Sequence, residues 1–317
     1  MAFKVVGVGE VLWDLLLTGP QLGGAPANFA YHARSLGCES RVITRVGDDE
    51  RGREVLRRFR NMGLPDATVQ VDKHAPTGTV QVQLSGNGLA HFTIQENVAW
   101  DHIALTVEAV TVASSADAIC FGSLAQRSQK SRDTIRKLVT AATPTLKVFD
   151  INLRQSFYSS DVIEESLNLS NVLKLNDDEL PRLVDMFALT GSVENQIEQL
   201  ARAFDLRVIA LTRGANGSLL YQELEDVRGG GALPSPDESE PGHHTRWSDC
   251  ASRCVQVVDT VGAGDAFTAA LVLGLLEKMD LDEINSVANE VARYVCSQPG
   301  ATPELPSEFR RKFELSK

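Results

Sequence analysis

Apolar residues fall along this chain in two alternating rhythms. Short β-branched runs, FKVVGVG, RVITRVG, DAICFG, LKVFDIN, NVLKLN and RVIALTRG, read as strands. Helix-length runs lie between them: APANFAYHARSLG ending at Gly37, DERGREVLRRFRNMG ending at Gly63, QKSRDTIRKLVTAAT, and helical stretches from Asp177 to about Phe204. Near-continuous apolar strands that alternate with helices predict a mostly parallel sheet covered on both faces. Two segments break the rhythm. Residues 66–97 hold the strand-like pieces ATVQVD, TGTVQVQL and LAHFTIQ, with turns such as SGNG, and predict a small antiparallel sheet projecting from the α/β body. Residues 222–250 are rich in Gly, Pro, Ser and acidic residues and predict a surface loop.

Composition narrows the function. The chain has 317 residues, enough for one large α/β domain with or without a minor one. A net charge of −11 argues against a broad nucleic-acid surface, which needs clustered Lys and Arg. It leaves room for a small anion held by backbone amides. The five cysteines are odd in number and scattered, unlike a disulfide framework. Residues 1–9 carry no secretory pattern, and no run of about 18 apolar residues exists to span a membrane. A cytoplasmic location is the expectation.

Several motifs carry candidate chemistry, each beside a plainer reading. In GVGEVLWD, Gly7 and Gly9 form half of a dinucleotide fingerprint; close packing at a strand end explains them as well. GGAPANFAYHA starts a helix with Pro26 in its first turn, where Asn28 either faces a ligand or is simply a polar first-turn residue. Asp14, amid apolar VLWDLLL, needs partners if buried: sugar hydroxyls or a structural Arg. Asp150, Asn152 and Arg154 follow a strand, on the edge where open α/β sheets bind ligands. Arg154 suits a phosphate clamp or a salt bridge. Asn176 and Glu179 suit Mg²⁺, directly or through water, or an N-cap. Thr212, Gly214 and Gly217 form a hairpin turn or a nucleotide-facing loop. His243, His244, Cys250 and Cys254 have a spacing that matches no common zinc module. DTVGAGD runs straight into an apolar helix, so Gly262, Ala263 and Gly264 sit at a helix N-terminus, a site suited to anions. A plain cap needs no glycine on both sides of Ala263, which suggests close approach of a ligand.

Taken together, GGAPANFAYHARSLGCESRVITRVGDDERG and DTVGAGDAFTAALVLGLL resemble the two signatures of the PfkB carbohydrate kinase family, the ribokinase-like sugar kinases. AWD at 99–101, GSLAQR at 122–127, DINLR, LKLNDDEL and SQPGATP at 297–303 look most like its fructokinase branch. The resemblance runs nearly end to end.

It implies a single domain over 1–317, a three-layer sandwich whose central sheet is mostly parallel. A small β lid would comprise about 10–22 and 66–100. It implies ATP- and Mg²⁺-dependent phosphorylation of a sugar's primary hydroxyl, with fructose foremost and ribose or 2-keto-3-deoxygluconate as alternatives. A non-catalytic sugar- or nucleotide-binding protein of the same fold is the remaining alternative. By position, Asp265 matches the family's catalytic base and Gly262, Ala263 and Gly264 its anion hole. Asp14, Gly24 and Asn28 match sugar contacts, and Arg154 is a candidate clamp. Asn176 and Glu179 match the motif that organises Mg²⁺. Thr212, Gly214, Gly217 and Asn289 fall where the ATP pocket lies. Asp259, Val261 and Gly300 are candidate K⁺ contacts. Separately, the edges of the lid sheet could pair across a two-fold axis, which leaves a homodimer open; no nucleic-acid or membrane partner is expected. Arg213 and the long 222–250 segment depart from the family pattern.

Overall fold

The computed structural model describes residues 2–16, 19–84, 90–143, 146–224, 244–251 and 255–314. Its strands, numbered in chain order, are β1 Lys4–Val8, β2 Leu12–Leu16, β3 Gly19–Gly23, β4 Glu39–Gly47, β5 Val69–Asp72, β6 Gly78–Leu84, β7 Ala90–Ile94, β8 Ala118–Phe121, β9 Leu146–Asp150, β10 Val172–Asn176, β11 Val208–Thr212, β12 Ser218–Glu223 and β13 Thr245–Cys250. The helices are α1 Ala25–Ser35, α2 Glu50–Asn61, α3 Val107–Ser114, α4 Gln129–Ala141, α5 Ser160–Asn168, α6 Leu180–Phe187, α7 Val193–Phe204, α8 Ala263–Leu276, α9 Leu281–Cys296 and α10 Ser307–Glu314.

Nine strands make the central sheet, in the order β13-β12-β11-β10-β9-β8-β1-β4-β5. From β11 to β5 every neighbouring pair is parallel; β12 and β13 are antiparallel additions. Strand parity sorts the core into two layers. Val5, Ala118, Cys120, Val148, Val172, Val208 and Ala210 face one way, under α1, α8, α9 and α10. Val6, Ile119, Phe121, Phe149, Leu173, Ile209 and Leu211 face the other, under α3 to α7. Successive side chains alternate across a strand. Asp150, Lys174 and Thr212 therefore share the face that α8 covers, and this decides where the chemistry sits.

The second sheet runs β3-β2-β6-β7. It is mixed rather than antiparallel throughout, because β2 and β6 pair in parallel. The expected lid segment 66–100 also divides. Its first strand, β5, pairs parallel to β4 on the outer edge of the central sheet. The cause is local: Thr68 Oγ1 donates to Val42 O at 2.8 Å, and the Gln70 amide exchanges two hydrogen bonds with the Ala104 backbone.

Residues 245–250, expected in a loop, form β13. Tyr221 faces Trp247 across the β12–β13 ladder, and the rings meet edge-on with centroids 5.0 Å apart. The ladder closes where Leu224 N donates to His244 O at 2.8 Å. The remainder of the expected loop, 225–243, lies outside the described residues. Gly7 and Gly9 take the packing reading: a Cβ on Gly7 would stand 2.1 Å from Pro26 O, at the start of α1.

Candidate active site

The expected site residues gather at the carboxyl ends of the central strands, where open α/β sheets place their ligands. The first turn of α8 forms the floor. Its cap, Gly262, is left-handed at φ 80°. A Cβ there would stand 2.2 Å from Ala301 O, so only glycine fits. A Cβ on Gly264 would stand 3.0 Å from Lys174 Nζ. Gly262 thus has an internal cause, where the sequence pattern suggests a ligand; Gly264 meets only the end of a lysine side chain. Of the three amides expected to cradle an anion, that of Ala263 donates to Thr260 O at 3.3 Å.

Asp265 lies in this turn. Asn28, in the first part of α1, donates Nδ2–H to Asp265 Oδ2 at 2.8 Å. Two signature motifs 237 residues apart thereby meet. Burial pushes the Asp265 carboxyl up to about 6; the charge of Asp150 adds to this, while Asn28, Lys174 and Arg154 oppose it. The Arg154 guanidinium donates to Leu153 O at 3.1 Å, and its charge opposes the rise at Asp265, Asp14 and Glu10 alike. Asp14, on β2, is also raised by burial to about 6, with Arg154 opposing. Gly24 carries φ 116° at the entry to α1, and a Cβ there would stand 2.5 Å from Glu10 O.

Beneath α8 lies a buried charge network in which the sequence motifs single out Asp150 but neither Lys174 nor Thr268. Lys174 Nζ bonds Asp150 Oδ1 at 3.1 Å, and Thr268 Oγ1, one turn into α8, donates to Asp150 Oδ2 at 2.9 Å. The Lys174 and Asp150 side chains are 8% and 7% exposed, so this pair acts in a poorly screened interior. Burial alone would lower the lysine, but the carboxylates of Asp150, Glu179 and Asp265 outweigh it and hold the ammonium above its usual range. The one available signal was a lone lysine in apolar VLKLN. Glu10 was also missed: it is 2% exposed, pushed up to about 7 by burial, and its Oε2 has no partner among the described residues.

Asn176 and Glu179 cap each other. Asn176 Oδ1 accepts from the amides of Asp178 and Glu179, and Glu179 returns Oε2 to Asn176 N; its Oε1 accepts from Leu153 N, each at 2.9 Å. These bonds close the turn that precedes α6, whose own cap residue, Glu179, carries no side-chain cap bond. Each carboxylate oxygen keeps a second lone pair, enough for waters of a hydrated Mg²⁺, which needs few protein oxygens.

Asn176 is the strand partner of Thr212, and Asp177 N donates to Thr212 O. Thr212 faces Ser218 across the hairpin, and Asn289, on α9, donates to Ser218 Oγ at 2.6 Å. Gly214 and Gly217 shape that turn with φ 52° and 85°. Arg213 pairs with Asp249 on β13. The Asp259 carboxylate gathers the candidate K⁺ contacts by accepting from Val261 N at 3.0 Å and Gly300 N at 3.1 Å. Of the set His243, His244, Cys250 and Cys254, the first and last lie outside the described residues; among the described residues no group of three or more His, Cys, Asp or Glu is placed for a metal. No helix among them is long and apolar enough to cross a membrane.

Residues 19–308 match the family described as pfkB family carbohydrate kinase. The chain belongs to this family. A protein of Pyrococcus horikoshii described as a sugar kinase is 28% identical over 335 residues, covering 99% of this chain and 94% of its own length. Fructokinase-1 of Oryza sativa subsp. japonica is 29% identical over 336 residues, covering 96% and 95%. The crystal structure of the Pyrococcus horikoshii sugar kinase in complex with ATP superposes with a TM-score of 0.75 at 26% identity, over 98% of this chain and 99% of that one. This pfkB-family sugar kinase thus shares its mostly parallel central sheet and small second sheet with ribokinase-like structures.

Proposed function

We propose that this kinase transfers the γ-phosphoryl group of ATP to the primary hydroxyl of a small sugar, with Asp265 as general base and fructose as acceptor. The carrying observation is the Asn28–Asp265 bond at the helix N-terminus, beside Lys174 and Arg154. Because Asn28 occupies Oδ2, the other oxygen is left to accept a hydroxyl proton. A carboxylate raised to about 6 is still largely ionised at neutral pH and is a stronger base than an ordinary aspartate.

Phosphoryl transfer depends on positioning and on shielding spread-out charge. In this reading the amides around Gly262 and Gly264 meet the charge on the transferred group, and the Lys174 ammonium reinforces them from below. Asp14, Gly24 and Asn28 hold the sugar, and Arg154 clamps the group in transit. Thr212, Gly214, Gly217 and Asn289 line the nucleotide's side. Asn176 and Glu179 would hold Mg²⁺ through water, an ion that supplies charge neutralisation at the β- and γ-phosphates when bound. Asp259, Val261 and Gly300 are the proposed K⁺ contacts. The small sheet, β2-β3-β6-β7, closes over the sugar and excludes water.

Fructose as acceptor is supported by the name carried by relatives such as the rice protein and by the branch motifs AWD, GSLAQR and SQPGATP. A panel of fructose, ribose and 2-keto-3-deoxygluconate with ATP, read by ADP release, tests it. Fructose is expected to give the highest kcat/KM. A higher value for either other sugar corrects the acceptor, and release with none rejects the kinase reading.

A further inference from the structure

The glycine cap of α8 rests on a carbonyl, and that carbonyl has its own support. The space a Gly262 side chain would fill is taken by Ala301 O, 2.2 Å from where a Cβ would stand. His32 Nε2 lies 2.9 Å from the same oxygen. A carbonyl only accepts, so Nε2 carries the proton and Nδ1 is bare. His32 is fully buried, and Nδ1 has no partner among the described residues. Burial pulls the imidazole down to about 4, so the neutral form persists at working pH.

The neighbours of this contact all converge on the helix cap. Asn28 and His32 are four residues apart, on one face of α1. Asn28 holds Asp265; His32 holds the carbonyl below Gly262. Tyr31 Oη donates to Pro303 O at 3.2 Å, which fixes the same 301–303 segment further along. From the opposite side, Asp259 Oδ2 accepts from Gly300 N at 3.1 Å. Residues 300–301 are thus gripped from both sides with the cap resting on them.

We infer that His32 is a positioning residue for phosphoryl transfer, its Nε2–H fixing Ala301 O and through it the Gly262 turn that aims the α8 amides and Asp265. It touches neither sugar nor nucleotide. A helix histidine in an apolar face would ordinarily be a filler of core space; here its one donated bond ends at the atom on which the active-site cap sits. The inference rests on the proposed roles of Gly262 and Asp265.

The test exploits the two ring nitrogens. In His32→Gln the side-chain amide reaches the Nε2 position and keeps the donor; in His32→Asn it stops near Nδ1 and loses it; His32→Met keeps bulk without a donor. Each folded variant is measured for kcat, sugar KM, thermal unfolding and hydrogen exchange at the amides of Ala266 and Gly300. A small misplacement of reacting groups costs about 10²-fold, so kcat should fall by that order in His32→Asn and His32→Met with sugar KM unchanged. His32→Gln should recover most of the loss. Exchange at Ala266, whose N–H makes the first α8 bond to Gly262 O, should quicken in the Asn and Met variants and not in the Gln variant. Equal kcat in all three, or a Gln variant as impaired as the Asn variant, overturns the inference. If His32→Met does not fold, the comparison of Gln with Asn decides; a Gln variant that does not fold assigns His32 to core packing alone and also overturns it. Exchange needs no substrate. If the native protein phosphorylates no sugar, the kinase reading fails while the exchange arm still judges the contact.

Discussion

At the scale of single residues, Asp265 carries two opposed demands. Its folded pKa, about 6, is above the unfolded value near 3.8, so its contribution to stability is present below 3.8 and is lost as pH rises through 6. Asp265→Asn removes the ionising group. We expect its melting temperature at neutral pH to match or exceed the native one, while kcat drops by about 10²–10⁴, the usual worth of a positioned base. Native-like turnover in the folded variant would remove Asp265 from the mechanism. Lys174→Met should act differently. Losing the cation leaves Asp150 buried and unpaired, which costs about 3–5 kcal/mol for such a pair. It also deprives Asp265 of an opposing charge, so the acidic limb of the kcat–pH profile should move upward. An unmoved limb would show that Lys174 only braces the interior. Asp265, the proposed base, and its hydrogen-bond partner Asn28 stand out in the sequence because each sits in a dense glycine-bearing motif. Lys174 does not stand out: a single buried cation between leucines has no spacing to announce it, and its place emerges only from the Asp150 pair and its charge at Asp265. The same blindness applied to Glu10, whose burial is a tertiary fact.

At the scale of elements, the alternation of β-branched and amphipathic runs was enough to read the strands and helices of the layered body, since period and length separate them. Assignment of strands to sheets was less legible. VQVD in β5 alternates as any edge strand does, and nothing in its pattern tells which sheet it joins; hydrogen bonds from Thr68 and Gln70 decide it. Likewise TRWSDC reads as the tail of a polar segment until Trp247 is seen packing on Tyr221. The sharpest dependence of one element on another is that of α8 on its cap. Gly262→Ala places a Cβ inside Ala301 O and forces a left-handed alanine, which costs about 1–2 kcal/mol for the backbone alone. We expect a clear fall in melting temperature together with loss of turnover. Gly264→Ala meets only the end of a lysine side chain and should be milder in stability. Equal effects of the two changes would mean that the Ala301 contact is not what demands glycine at 262.

At the scale of the whole molecule, the central sheet ends on one side in the antiparallel pair β12 and β13, next to the turn of Gly214 and Gly217. This geometry changes the meaning of the segment between them. In sequence, residues 222–250 look like one long interruption of an enzyme. In space the chain leaves at Leu224 and returns at His244, two residues already joined by a hydrogen bond, and Glu223 and Thr245 are ladder partners. The interruption is a hairpin connection, whatever its length. Replacing 225–243 with an Asn-Gly turn, the shortest link suited to such a ladder, should leave melting temperature and sugar KM near native values; a collapse of either would tie those residues to the fold or the site. Loop-closure entropy grows only slowly with length. The β12–β13 edge is therefore closed by its own ladder on both sides of the crossing, and the core asks of the intervening chain only that it link Leu224 to His244.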